Sequence, residues 1–186
     1  MILRVTDGHV IRSWQAHKTP ITCLEYHPDG KRIASATLFG IRFWDQTDAK
    51  LIWQFEHPPK SIHKIAFSEE GSVLAVAGDS VSVLNTETAE LLCKVATESE
   101  ILAVNQDGSR IATRAGTGDE GEAKIKFWEG KSGQEILSFD APHSILWFSF
   151  GQGDRYLVGG RHDTRFIWDL SSAPDQPESP LGKRAK

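Results

Sequence analysis

Seven histidines are the residues in this chain best suited to chemistry: His9, His17, His27, His57, His63, His143 and His162. Imidazole binds metals and moves protons near neutrality. Metalloenzyme motifs, however, place two histidines four residues apart on one helix face, and no pair here has that spacing in a helical context. The segment Ala115–Lys124, AGTGDEGEAK, concentrates Asp119, Glu120 and Glu122, whose oxygens suit a hard cation such as calcium. It lacks the alternating Asp/Asn ladder of a calcium loop and reads as a solvated acidic loop. Cys23 and Cys93 are 70 positions apart with no CxxC pair, so neither a zinc site nor a disulfide framework is encoded. No GxSxG elbow, Gly-rich phosphate loop or Ser/His/Asp set is present. The residues therefore predict no catalytic constellation, no metal and no cofactor.

The elements around these residues are small and repeated. The chain has 186 residues, 39% hydrophobic and 25% charged, which fits one globular domain rather than a disordered or fibrous chain. Its formal charge of -4 argues against a nucleic-acid binder that works by neutralising phosphates. No apolar run reaches membrane-spanning length, and the start, MILRVTDGHV, lacks the apolar core of a secretory signal. The expected compartment is the cytoplasm. Six tryptophans in so short a chain ask for a structural reason.

That reason is periodicity. Trp44-Asp45, Trp128-Glu129 and Trp168-Asp169 each close a short alternating run (IRFWD, IKFWE, RFIWD), and Leu84-Asn85 in VSVLN stands where a missing member is due, giving periods of 40, 44 and 40 residues. Ahead of each pair, in step, an apolar strand runs into a tight polar turn: ITCLEYHPDG, SIHKIAFSEEG, SEILAVNQDG and SILWFSFGQGD. Turns of this kind after alternating residues signal hairpins, since Gly supplies the positive φ they need. A second strand follows (RIASA, VLAVA, RIATR, RYLVG), and three units add a fourth (LIWQF, LLCKV, EILSF). Four antiparallel strands in a repeat of this length mark a β-propeller blade, a sheet that covers its faces by stacking against its neighbours. The predicted class is all-β: a β-propeller-type array of four-stranded antiparallel blades in an incomplete ring. The innermost strands, Ile21–Tyr26 and Ile145–Phe150, are nearly continuously apolar, which predicts cover on both faces. Residues 1–14 read as a strand remnant of a preceding blade or a ring-closing strand, 15–170 as about four blades, and the Pro- and Ser-rich 171–186 as a disordered tail.

These motifs resemble the WD-repeat β-propeller family. Trp44-Asp45 and Trp168-Asp169 match its naming dipeptide, and Ala16-His17, Glu56-His57 and Pro142-His143 stand where the family places Gly-His. The resemblance implies blade-tying roles for His17, Ser35, Trp44, Asp45, Thr113, Trp128, His143, Trp168 and Asp169. Val76 and Leu84 replace Ser and Trp in the second blade, Val158 replaces Ser in the fourth, and Leu38 and Phe39 occupy the first blade's Asp position. It also implies a partner face on the loops into the first strand and between the second and third: Lys18, Thr19, Phe39, Lys60, Arg114, Arg161 and His162. Phe39 is the sharpest of these, with capping of its own blade as the alternative. The function the resemblance implies is a non-catalytic protein–protein interaction scaffold. Its alternative is a structural segment of a larger propeller with no partner surface of its own. The expected partner is another protein rather than nucleic acid or membrane, and the ring is expected to close by strand exchange in a homodimer, by further blades, or as a cramped four-bladed ring of one chain.

Overall fold

A computed structural model gives the fold and describes residues 2–4, 6–56, 61–96, 102–116, 124–141, 145–161 and 164–171. Within these residues every regular element is a strand. The first blade is β3 (Cys23–Tyr26), β4 (Arg32–Thr37), β5 (Gly40–Asp45) and β6 (Leu51–Phe55), paired in that order. The second is β7 (Lys64–Phe67), β8 (Val73–Ala77), β9 (Val81–Asn85) and β10 (Leu91–Val95); the third is β11 (Leu102–Val104), β12 (Arg110–Ala115), β13 (Lys124–Glu129) and β14 (Glu135–Asp140). The fourth has three strands, β15 (Trp147–Gly151), β16 (Tyr156–Arg161) and β17 (Thr164–Asp169). At the amino end β1 (Ile2–Leu3) and β2 (Val10–Arg12) form a separate antiparallel pair.

Local chemistry sets these hairpins. The first turn of each of the first three blades ends on Gly30, Gly71 or Gly108, at φ of +69°, +77° and +78°, a conformation that carries no Cβ penalty in glycine. Blades stack in chain order, with β3 beside β7, β7 beside β11 and β11 beside β15, so the first strand of each sheet lies innermost. Three separate cores fill the spaces between blades. Ala34, Ile41 and Phe43 meet Ile65, Leu74 and Leu84; Ala75, Val81 and Val83 meet Ile111 and Trp128; Ala112, Ile125 and Phe127 meet Phe148 and Leu157. Each blade thus uses one face toward its predecessor, here the leading face, and one toward its successor, the trailing face.

The ring is open, and this changes the expectation of two-sided cover for both end inner strands: in the fourth blade Leu146 and Trp147 are exposed. Leu24 and Tyr26, on the leading face of β3, are 57% and 48% exposed, because no described residue covers that side of the inner strand. The outer part of the same face is covered from the amino end, where the Trp14 ring lies 6.2 Å from Trp44.

Candidate protein-interaction surface

The scaffold beneath the surface is tied by side chains spaced nine and fifteen residues apart. The Trp44 indole N–H donates to Ser35 Oγ at 2.8 Å, and His17 Nε2 shares a second bond with the same oxygen at 2.8 Å. His17 is half-buried, and burial followed by the Arg42 guanidinium holds its pKa below the usual value. Arg42 itself donates to Ala16 O and lies over the Trp44 ring, fixing the loop that enters β3. In the third blade the Trp128 indole N–H donates to Thr113 Oγ1 at 2.8 Å, without a histidine. The second blade fills the matching positions with buried Val76 and Leu84. In the fourth, Trp168 faces Leu157 across the ladder just as Trp44 faces Ile33, so the residue in the place of Ser35 is Gly159 and not Val158. With no hydroxyl there, Trp168 stacks on Phe166 at 5.7 Å and lies 5.9 Å from Phe139.

The acidic or amide residue after each Trp position holds a turn. Asp45 accepts the Thr47 N–H at 2.6 Å, Asn85 the Glu87 N–H at 2.9 Å, and Asp169 the Ser171 N–H at 2.9 Å; Glu129 pairs with Ser132. The Thr47 N–H bond is the main reason Asp45 has a lowered pKa, and the Ser171 bonds do the same for Asp169.

On the face of the loops entering each blade, Phe39 is 71% exposed and Leu38 50%. The tip that carries them is held from within: Thr37 Oγ1 accepts the Phe39 N–H at 3.1 Å and donates to Gly40 O at 3.4 Å. Phe39 therefore stands clear of its own blade rather than capping it. Thr22 N–H donates to Ala36 O at 2.8 Å, out of register with the β3–β4 ladder, and Ile21 just before it is exposed. Lys18 and Thr19 are exposed on the loop just before it. Arg114 is half-buried and gives one donor to Ile145 O at 2.7 Å, bridging the third and fourth blades. Arg161 is exposed opposite Thr164 at the β16–β17 turn. Lys60, His143, His162 and the acidic run Asp119, Glu120 and Glu122 lie outside the described residues. No group of three His, Cys, Asp or Glu side chains converges among the described residues.

The opposite face carries a belt of contacts between successive turns that sequence reasoning missed. Buried His27 bonds to Gly71 O at 2.9 Å, and its ring packs edge-on against Phe43 and Phe67. A Cβ on Gly71 would stand 2.3 Å from His27 Nε2. Arg32 spans Asp29 at 2.6 Å and Glu87 of the next blade at 2.7 Å, and the Trp53 indole N–H donates to Thr86 O at 2.7 Å. Partial burial works against the Asp29 carboxylate, but the Lys31 N–H, Arg32 and His27 outweigh it and hold its pKa at about 2. Farther along, the Glu70 N–H donates to Gln106 O at 3.0 Å, and Asn105 donates to Asp154 at 3.0 Å. The available signal was a polar residue at one place in each of the first three units (His27, Ser68, Asn105), directly after an apolar strand.

These ties and turns repeat in register through a stack of antiparallel sheets, and the WD domain, G-beta repeat family matches residues 8–45, the span holding His17, Ser35 and Trp44-Asp45. The chain is similar to the WD-repeat family, whose repeat it carries at residues 8–45. WD repeats generally mediate contacts between proteins, and the proteins that carry them are typically non-catalytic. Among curated proteins, this WD-repeat chain is similar to telomerase protein component 1 of mouse (Mus musculus), at 24% identity over 90% of this chain and 7% of that protein. It is also similar to telomerase protein component 1 of rat (Rattus norvegicus), at 26% identity over 87% of this chain and 6% of that protein. The chain therefore spans less than a tenth of the length of these relatives.

Proposed function

We propose that this WD-repeat chain is a non-catalytic docking scaffold that holds another protein against the loop face bearing Phe39. The observation that carries this reading is the hairpin tip itself, an aromatic side chain 71% exposed on a turn braced by Thr37. A rigid, exposed aromatic loses little conformational entropy on binding, and aromatic and Arg residues dominate binding hot spots. Leu38 and Ile21 extend the apolar contact, and Lys18, Lys60, Arg114, Arg161 and His162 are assigned to its polar surround. The relatives' name describes a component of an assembly, and a docking role agrees with it. Cys23 and Cys93 are unpaired thiols whose pKa burial raises, which suits a reducing compartment such as the cytoplasm. The test is affinity capture with the whole chain, comparing wild type with Phe39→Ala and Arg161→Ala. The expected result is loss of a specific partner with an unchanged melting temperature. A partner retained at full strength by both variants would move the interface off this face.

A further inference from the structure

Matching positions along the stack show what the two ends of the array lack. On the trailing face, Phe43, Val83 and Phe127 are 0%, 0% and 3% exposed, whereas the residue in the same place in the fourth blade, Ile167, is 67% exposed. Beside it Val158 takes the position of fully buried Ala34, Ala75 and Ala112 and is only half-buried, and Trp147 lies open against Gly160. On the leading face, Ile65 and Phe148 are 1% and 6% exposed, and Leu24 in their place is 57% exposed. Exposed Ser149 and Arg165 interrupt the apolar pattern of the trailing face, Arg165 with a long charged side chain. Arg165 sits at the loop-side rim, where a long side chain reaches water while its stem covers apolar surface.

The strands are complementary in the same sense. Among the described residues the fourth blade has no strand beside β17 on its outer side, while β2 at the amino end has as its only ladder partner the two-residue β1, with an irregular register. We propose that a second copy of this chain covers both ends: the trailing face of each fourth blade seats on the leading face of the other copy's first blade, and β17 displaces β1 to pair with β2. Two chains of four blades then close an eight-bladed ring, within the usual range of propeller sizes. Each contact joins unlike faces, and the two contacts are related by a two-fold axis, so the dimer interface as a whole is isologous. It continues the stacking that already joins the four blades, adding Leu24, Tyr26, Val158 and Ile167 to a core of the same kind. The inference is independent of the partner face at Phe39.

Light scattering on the whole chain after size exclusion tests this, with Leu24→Asp and Ile167→Asp as variants. Both positions face water in the isolated chain, so neither change has to unfold it, and circular dichroism checks that it does not. Wild type is expected at twice 20.6 kDa at tens of micromolar, and each variant at 20.6 kDa. An equimolar mixture of the two variants is expected to recover the double mass, because one copy keeps an intact leading face and the other an intact trailing face. Ile136→Asp, at an exposed position on outer strand β14, should leave the double mass unchanged. A folded wild type that stays at the single mass overturns the proposal and leaves the open faces to further blades. A dimer broken by only one of the two face variants, or variants that fail to complement, would replace the head-to-tail ring with a like-to-like contact.

Discussion

Ser35 has one hydroxyl and two claimants, the Trp44 indole and the His17 ring, and its side chain is 1% exposed. Removing it strands a buried indole N–H, so Ser35→Ala should cost about 1–3 kcal/mol in denaturant unfolding, the usual penalty for an unsatisfied buried donor. His17 adds a pH dependence of definite sign. Its folded pKa lies below its ordinary value of 6.5, first through burial and then through Arg42. Between those two values the unfolded chain binds more protons than the folded one, so stability falls as pH drops. The contribution of His17 is complete above pH 6.5 and is lost as pH falls through the folded value. Unfolding curves taken from pH 7.5 down to about pH 5 should show this decline, and His17→Gln should flatten it. This cluster is legible from residue types at family spacing. The fourth blade's Gly159 is not, because a one-residue offset in register cannot be seen until the ladder fixes which residue faces Trp168.

At the scale of the element, the turn between the third and fourth strands places Ala49, Ala89 and Gly133 in the same left-handed position, at φ of 60°, 59° and 70°. An alanine there carries a steric cost of about 1–2 kcal/mol, set against the roughly 0.5–1 kcal/mol entropic cost of glycine in the unfolded chain. Ala49→Gly and Ala89→Gly should therefore each stabilise by about 0.5–1 kcal/mol, raising the melting temperature by ~1–4 °C. Gly133→Ala should do the reverse, since its Cβ would also crowd Val95 at 3.3 Å. Calorimetry on the three variants reads both directions, and a melting point lowered by the two glycines would show that the strain is not there. Sequence reading recognised these segments as polar turns and the first hairpins by their Asp-Gly and Glu-Gly endings. It did not see the alanine conformation, since alanine announces no turn. The His27–Gly71 contact was equally hidden: its residues are 44 positions apart, and each looks locally like ordinary turn chemistry.

For the whole molecule, a period near 40 residues was enough to give the number of sheets, their strand order and their stacking, because each sheet must bury two faces and has only its neighbours to do it. How the two ends are covered could not be read this way, since an apolar residue at an end looks the same in sequence as one between blades. That difference should govern the order in which the chain opens. The second blade has neighbours on both faces, and residues Val73 to Leu84 in β8 and β9 are at most 7% exposed. Among the described residues the fourth blade is covered on one face only, and β1 and β2 make a short pair of their own. In a stack held by nearest-neighbour contacts, local opening follows the number of neighbours rather than one global transition. Native-state hydrogen exchange, run at high dilution to keep single chains, should therefore find the slowest amides in β8 and β9 and the fastest in β1, β2 and β17. Denaturant should erase the slow class last. Equal protection across all four blades would mean that the array opens as one cooperative unit, and the independence of its three inter-blade cores would have to be given up.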